Sequence, residues 1–164
     1  MRRVRLVTDR ILATFAAIVD ANRDRAYRLW LISPWIGLDS GDDDPLLLLL
    51  DAARVRSCSI IVITRPPDHA WHARAIELLA ASELAVIYTA RHLHTKLYIA
   101  ECDGFRAAIL GSPNLTPCAD RNNAEIAVEF RTTHENITDD VTAIVTELTE
   151  YASSLRGEPG VALL

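Results

Sequence analysis

The chain has 164 residues, of which 50% are hydrophobic and 24% are charged, and its formal net charge is −5. This composition is that of a folded globular protein and excludes a disordered chain, and the length predicts one domain over residues 1–164. The negative charge argues against a general coat for nucleic acid, but it does not exclude a local basic groove.

The first part of the chain alternates between predicted helices and strands. Apolar residues in segment 11–19 recur at helical spacing, which predicts an amphipathic helix capped by Thr8 or Asp9 rather than a secretion signal. Further helices are predicted at residues 46–55, directly after Pro45, and at 70–81, and strands at 27–32, 59–64 and 84–88. This alternation is typical of a largely parallel sheet with helices on both faces.

The second part of the chain has a different pattern. Residues 94–101 and 105–110 are strand-like and are separated by a segment ending in Asp103-Gly104, which predicts an antiparallel hairpin. Another strand is predicted at residues 124–130 and a long closing helix at 137–155, and the tail from Gly157 is expected to be frayed. The expected fold is therefore α/β, with a mixed, mostly parallel sheet flanked by helices on both faces.

Basic residues are distributed very unevenly between the two types. The chain contains sixteen arginines and one lysine, Lys96, which lies two residues after His94. Arginine is a rigid planar fork, whereas lysine is a compact point charge on a flexible stem. Either residue can serve as a surface cation, so the single lysine indicates a site that arginine cannot serve. The alternative is that a coding bias toward arginine replaced the other lysines and left Lys96 by chance.

Three pairs of polar residues share one spacing and lie near the ends of predicted strands: His94 and Lys96, Ser112 and Asn114, and Asn123 and Glu125. Residues two apart on a strand face the same way, so the pairs would converge on one pocket if these strands are neighbours. Lysine and asparagine donate hydrogen bonds to phosphate oxygens, an imidazole can attack phosphorus, and a carboxylate can fix the imidazole tautomer. No His, Asp or Glu cluster has metal-ligand spacing, so no metal or other cofactor is expected.

These residues carry a family resemblance. The ordered segments His94-Thr-Lys96-Leu-Tyr-Ile-Ala-Glu101, Gly111-Ser112-Pro-Asn114-Leu-Thr116 and Asn123-Ala-Glu125 resemble the signature of the phospholipase D superfamily. The match covers about residues 91–130. Upstream, Leu31-Ile-Ser-Pro-Trp-Ile36 is similar to a strand end found in many members.

The resemblance implies a metal-independent phosphodiesterase, a hydrolase that works through a phosphohistidine. It implies that His94 is the nucleophile, that Lys96 and Asn114 bind the phosphate, that Ser112 is a supporting donor and that Glu125 orients the histidine. Ser112 and Asn114 could instead be simple turn residues after a strand, and Glu125 a solvated strand charge.

Other residues near the motif could contact the substrate or have only structural roles. Asn123, Trp35 and Arg121 are the further candidates for substrate contacts. Trp35 could equally pack in the core. Glu101 occupies a position where the family pattern has Asp, and that family acid is mainly structural, so this departure affects the expected local packing rather than the expected activity.

The superfamily site needs two His-x-Lys motifs that face each other, and this chain has one. His69 and His72 lie in a segment without lysine, where a helix begins, and cannot supply the second motif. The resemblance therefore implies a homodimer with the active site across its two-fold interface. A heterodimer with a related chain and an inactive monomer are the alternatives.

Three readings of the biological role remain open. The preferred one is a nuclease that cleaves DNA or RNA, because this compact, single-motif chain resembles the bacterial nucleases of the superfamily, including those of restriction and defence systems. Five arginines flank the motif strands and could track a nucleic-acid backbone: Arg65, Arg91, Arg106, Arg121 and Arg131. The acidic stretch 39–44 counts against a polyanionic substrate if it lies beside the pocket, and is otherwise a solvated loop. A phospholipid hydrolase would need a membrane-binding surface, and no segment provides one, so membrane binding is not expected. The third hypothesis is a non-catalytic nucleic-acid-binding subunit of a larger restriction or defence complex.

The cysteines and the start of the chain bear on the cellular location. Three cysteines without metal spacing and the lack of a targeting segment indicate a cytoplasmic protein with reduced thiols.

Overall fold

A computed structural model describes residues 3–38, 44–121, 123–133 and 140–164, without the side chains of residues 120, 121 and 133. The strands in this part of the chain are β1 (Val4–Val7), β2 (Ala26–Ile32), β3 (Ser59–Thr64), β4 (Ala85–Ala90), β5 (Leu97–Cys102), β6 (Phe105–Gly111), β7 (Ala127–Thr133) and β8 (Val161–Leu163). The helices are α1 (Ile11–Asp20), α2 (Pro45–Arg54), α3 (Ala70–Ala81), α4 (Pro117–Arg121) and α5 (Asp140–Ser154), followed by a 3-10 turn (Leu155–Gly157).

The strands form a single sheet in the order β1-β7-β6-β5-β2-β3-β4-β8. The mixed sheet is confirmed, but the expectation that it is mostly parallel is wrong. Only β2, β3 and β4 pair in parallel, through the crossovers that contain α2 and α3. The other five pairings are antiparallel, because β5 returns to lie beside β2, the β5–β6 hairpin leads into β7, and β1 and β8 join the two edges.

Alternate residues of the central strands point into two hydrophobic cores. On one face, Leu29 and Leu31 of β2 pack in a cluster with buried residues of α1, α2 and α3. On the other face, Trp30 and Ile32 pack in a cluster that includes Val145 of α5. Both faces of β2 are therefore buried, which explains its continuous apolar run, and the prediction of helices on both faces is confirmed.

The start of α2 follows from its sequence. The Asp44 carboxylate accepts hydrogen bonds from the backbone nitrogens of Leu46 at 2.8 Å and Leu47 at 3.2 Å, and Pro45 is the first helical residue. Proline has no N–H to leave unpaired there, and aspartate supplies the acceptor that the first turn lacks. The remainder of the predicted acidic stretch, residues 39–43, lies outside the described residues.

The start of α1 differs from the prediction. The N-cap residue is Arg10, in a left-handed conformation with φ 45° and ψ 49°, and it makes no side-chain capping bond. The prediction of a cap by Thr8 or Asp9 is therefore wrong. The left-handed turn at Arg10 sends the chain into the helix, so both candidate caps lie before the N-cap position.

Two short edge strands were not predicted. β8 pairs with the end of β4, so the expectation of a frayed tail from Gly157 is wrong for these residues. At the other edge β1 pairs with β7, and Arg5 donates to the buried Glu129 carboxylate from Nε at 2.7 Å. The side chains of Leu6 and Leu163 are 61% and 67% exposed, so neither strand shows the apolar burial by which a sequence pattern is recognised.

The three cysteines are free, and two of them are buried. Burial raises the pKa of Cys58 to about 12 and that of Cys102 to about 11, so both thiols are protonated near neutral pH and are not nucleophiles. Across the described residues, no helix has the length and apolar composition that crossing a membrane would require.

Candidate functional site

The three predicted polar pairs lie at one end of the sheet. β5, β6 and β7 are antiparallel neighbours, so the start of β5 at Leu97, the end of β6 at Gly111 and the start of β7 at Ala127 meet there. β2 ends at the same place, because Ile32 lies opposite Leu97. The convergence of the pairs follows from this strand topology.

The pairs flank the strands rather than lying within them. His94 and Lys96 precede β5, and Asn123 and Glu125 precede β7, so the predictions that the two strands begin at residues 94 and 124 are wrong. These residues are outside the regular ladder, and strand alternation does not determine where their side chains point. Alternation applies from the first ladder residues onward, where Tyr98 is buried on the face of α1, α2 and α3.

Backbone contacts join the three motif segments. The Gly111 nitrogen donates to the Lys96 carbonyl at 3.3 Å, and the Ser112 nitrogen donates to the Ile126 carbonyl at 3.0 Å. A Cβ atom on Gly111 would lie 2.5 Å from Cβ and 2.6 Å from Cα of Ala127. Glycine is therefore required for β6 and β7 to approach this closely, which explains the glycine of the Gly-Ser-x-Asn motif.

Glu125 is held by the residues that accompany it in the motif. The Ser112 hydroxyl donates to one carboxylate oxygen, and the Asn123 side-chain nitrogen donates to the other at 3.2 Å. The Ser112 hydroxyl also accepts from the Ile126 nitrogen at 3.0 Å. Ser112 and Asn123 therefore orient the carboxylate, and their predicted contact with a substrate stays a prediction.

A buried tyrosine of β5 and the buried serine that follows β2 position the loop that carries Asn114. The Tyr98 hydroxyl donates to the Pro113 carbonyl at 2.7 Å, and the Ser33 hydroxyl accepts from the Leu115 nitrogen at 3.0 Å. Burial raises the pKa of Tyr98, so the hydroxyl keeps its proton and remains a donor. The side-chain oxygen of Asn114 is buried without a hydrogen-bond partner among the described residues. Sequence patterns did not identify Tyr98 and Ser33 as residues that position the loop.

His94 is exposed at the sheet end, and its backbone is fixed on both sides. The Lys96 ammonium donates to the His94 carbonyl at 3.0 Å, which keeps the cation beside the histidine. The Thr95 hydroxyl lies 2.8 Å from the Tyr151 hydroxyl of α5. A cleft of about 560 Å³ opens next to His94 and Thr95, and Leu155 forms part of its wall.

Arg65 was not predicted as a residue of the central site. It directly follows β3, and one guanidinium nitrogen lies 2.9 Å from Nε2 of His94. Its guanidinium also lies over the Trp35 ring, 4.8 Å from the ring centre. Trp35 is half-buried three residues after β2, and Arg65 connects this predicted substrate contact to the histidine. The side chain of Arg121, the remaining candidate, lies outside the described part of the chain.

Glu101 lies at the opposite end of β5 from the motif. Its carboxylate is buried and accepts from the Trp30 indole nitrogen at 3.1 Å. Arg28 and Arg106 form ion pairs with it at 3.4 Å and 3.9 Å. These contacts stabilise the sheet and do not involve the candidate site.

His69 and His72 begin α3, as predicted. His69 is the N-cap residue, and the buried His72 lies with Nε2 3.0 Å from the Thr64 hydroxyl. Burial lowers the pKa of His72, so this ring is neutral and serves packing. Among the residues that the structure describes, no group of three or more His, Cys, Asp or Glu side chains could hold a metal ion.

Comparison with solved structures identifies the architecture. No family model and no curated protein matches the chain. NucT from Helicobacter pylori superposes with a TM-score of 0.70 at 14% identity, over 98% of both chains. Nuc from Salmonella typhimurium, a phospholipase D family member, gives 0.66 at 13% identity, also over 98% of both. The chain has the phospholipase D fold.

The phospholipase D fold extends well beyond the motif region. The two matches cover nearly the whole chain, whereas the sequence resemblance covers about residues 91–130. Phosphatidylserine synthase from Haemophilus influenzae has a similar structure, with a TM-score of 0.58 at 12% identity over 98% of this chain and 39% of that one. At these identities the similarity concerns the fold, and the chemistry must be argued from this chain's own residues.

The hydrogen bond from Tyr98 to Pro113 gives a direct test of how the Asn114 loop is held. Tyr98→Phe leaves the Pro113 carbonyl without its donor, and an unpaired buried group costs about 1–3 kcal/mol. We expect the free energy of unfolding, measured by urea denaturation, to fall by that amount. Tyr27→Phe is the matched control. Tyr27 lies near the start of β2, at the end of the sheet away from the motif, and is 40% exposed, so loss of its hydroxyl should leave the stability unchanged. Equal stability of the two variants would contradict the assigned role.

Proposed function

We propose that the protein is a metal-independent phosphodiesterase that cleaves DNA or RNA through a phosphohistidine on His94. The observation that carries this proposal is the convergence of the His94–Lys96, Ser112–Asn114 and Asn123–Glu125 segments at one end of the sheet. The phospholipase D fold supports the same chemistry. The cleft beside His94 provides room for the part of a substrate that adjoins the phosphate.

In the proposed reaction, a nitrogen of the His94 ring attacks phosphorus and the bond from phosphorus to the leaving oxygen breaks. Water then attacks the phosphohistidine and gives its proton to the group that had protonated the leaving oxygen, which breaks the phosphorus–nitrogen bond and regenerates the free imidazole. The Lys96 ammonium and the Asn114 amide donate to the non-bridging oxygens, where negative charge accumulates. No metal ion takes part in either step.

Glu125 would stabilise the positive charge that the imidazole carries during attack. Its carboxylate lies at the same sheet end, and the bonds from Ser112 and Asn123 fix its orientation. These two residues would then act through Glu125 rather than on the substrate.

The leaving oxygen needs a proton, and the chain carries one His-x-Lys motif. We propose that the His94 of a second copy supplies this proton, in a homodimer with the reacting phosphate on the two-fold axis. One imidazole attacks while the other protonates. Each subunit would contribute one lysine to the same anion.

A nucleic-acid substrate is favoured over a phospholipid. Nuc and NucT match this chain over its whole length, whereas it covers 39% of the phosphatidylserine synthase. Arg65 adds a cation directly beside His94, which favours an anionic phosphodiester of either class. Phospholipid hydrolysis, and nucleic-acid binding without cleavage in a larger complex, are the competing roles that the first assay separates.

We expect hydrolysis of bis(p-nitrophenyl) phosphate, DNA and RNA, but not of anionic liposomes, in the presence of excess EDTA. His94→Ala should lower kcat by about 10³-fold or more, because removing a nucleophile leaves only electrostatic and binding effects. The control is His69→Ala, which removes an exposed histidine at the start of α3.

Several outcomes would contradict this prediction. Loss of activity on adding EDTA would remove the metal-independent mechanism, and retained turnover in His94→Ala would remove the nucleophile assignment. Hydrolysis confined to liposomes would identify a phospholipid hydrolase. Binding of nucleic acid without cleavage would identify a non-catalytic subunit.

Lys96→Arg tests whether the single lysine is chemically required. A planar guanidinium cannot occupy the space of a compact ammonium beside His94, so we expect kcat to fall by about tenfold or more with the charge preserved. The measurement is steady-state hydrolysis of bis(p-nitrophenyl) phosphate. Full activity would mean that the solitary lysine is a chance survivor of arginine bias.

The homodimer can be tested by mixing subunits. If both histidines of a dimer are needed, only dimers of two wild-type subunits are active. When wild-type protein is equilibrated with excess His94→Ala at constant total protein, the remaining activity should therefore be proportional to the square of the wild-type fraction. Light scattering should give twice the mass of one chain. Activity that falls in simple proportion to the wild-type fraction, or an active monomer, would contradict a shared site.

A further inference from the structure

Arg65 is held beside His94 by several independent contacts. Its backbone nitrogen donates to the Pro34 carbonyl at 3.3 Å, and its Nε donates to the Leu93 carbonyl at 3.0 Å. The guanidinium stacks over Trp35 at 4.8 Å, and a terminal nitrogen lies 2.9 Å from Nε2 of His94. The contact with the histidine is therefore made by an oriented group rather than by a freely rotating surface arginine.

The chemistry of this contact determines the state of the imidazole. Arginine stays protonated and can only donate, so Nε2 of His94 must accept with its lone pair. The ring is then neutral and carries its proton on Nδ1. The Lys96 ammonium is bonded to the His94 carbonyl instead, so it does not compete for Nε2.

An engaged lone pair is not free to attack phosphorus. We propose that Arg65 caps Nε2 of His94 in the substrate-free protein and transfers to a non-bridging phosphate oxygen when a phosphodiester binds. This inference rests on the proposed function, because it takes Nε2 as the attacking nitrogen. Arg65 then has two successive partners, the resting nucleophile and the bound anion.

The transfer is favoured by charge. A phosphate oxygen carries negative charge, whereas Nε2 of a neutral imidazole does not, and a charge-assisted hydrogen bond between ions is the stronger one. The guanidinium keeps its proton throughout, and the Nδ1 proton of His94 also stays in place. The bond from Nε to Leu93 and the stacking on Trp35 hold the guanidinium as a pivot, so a small rotation moves the terminal nitrogen from ring to phosphate.

Binding of the substrate phosphate would thus free Nε2 of His94 for attack. Without a phosphate, Nε2 is occupied and protected from other electrophiles. When a phosphate uncaps both copies, one Nε2 attacks, and the other takes up from solvent the proton that it gives to the leaving oxygen. With a phosphate in the site, the Arg65 guanidinium binds a non-bridging oxygen and becomes the third phosphate ligand of its subunit, beside Lys96 and Asn114. Arg65 is a positioning residue in the first state and a substrate ligand in the second.

The resting contact can be tested without turnover, by 15N NMR of the His94 ring in the substrate-free protein. Wild type should show the tautomer protonated on Nδ1. Arg65→Met, which removes the donor and keeps an unbranched side chain, should move the Nε2 resonance toward that of a ring nitrogen with a free lone pair. Arg74→Met is the control, because it removes an exposed charge from α3. An unchanged Nε2 resonance in Arg65→Met would overturn the cap.

The transfer can be tested with inorganic phosphate as the probe. Phosphate should change the His94 ring signals of the wild type, and Arg65→Met should bind it roughly tenfold more weakly because it lacks one charge-assisted hydrogen bond. Arg65→Lys should recover part of this loss. Equal affinity for phosphate in Arg65→Met and wild type would overturn the transfer.

Steady-state kinetics distinguish a ligand from a purely structural residue. For bis(p-nitrophenyl) phosphate we expect Arg65→Met to raise KM by roughly tenfold and to change kcat by no more than about threefold, because the nucleophile is uncapped while one phosphate ligand is lost. A fall in kcat with unchanged KM would overturn the transfer. If no variant turns over substrate, the proposed function fails, while the NMR measurements still decide the resting contact.

Discussion

The close approach of β6 and β7 at Gly111 is the constraint on which the candidate site depends. A side chain at this position would collide with Ala127, so the two strands meet here only because residue 111 is glycine. The same residue bonds to Lys96 across the other side of β6. One glycine therefore allows the Lys96 segment, the Ser112 turn and the Glu125 segment to lie side by side at the ends of three neighbouring strands.

Local patterns in the sequence predicted most elements but not their arrangement. The continuous apolar runs of β2 and β3 follow from burial on both faces, and the hairpin turn at Gly104 follows from its left-handed backbone with φ 77°. The parallel expectation failed because alternation along the chain does not reveal where a strand inserts, and β5 lies beside β2 rather than beside the preceding β4. The edge strands β1 and β8 were too short and too exposed for a periodic pattern.

The residues of the candidate site were predicted better than their contacts. The motif spacing selected Ser112 and Asn123, and the structure adds that both bond to Glu125. Arg65 was one of the five arginines expected to flank the motif strands, but its contact with His94 was not predicted, since the two are 29 residues apart and no local pattern links them. The contact between Arg65 and His94 arises from the sheet topology, because the end of β3 and the start of β5 lie at the same end of the sheet.

The pairing of β1 with β7 has a consequence for how the chain is synthesised. Arg5 and Glu129 are separated by 124 residues, yet they form a hydrogen-bonded ion pair across this edge. A nascent polypeptide is synthesised from its N-terminal side, so β1 cannot pair with β7 until the residues between the two strands have been made. The candidate site, which includes the segment that leads into β7, would accordingly be completed only after β1 to β6 have been synthesised.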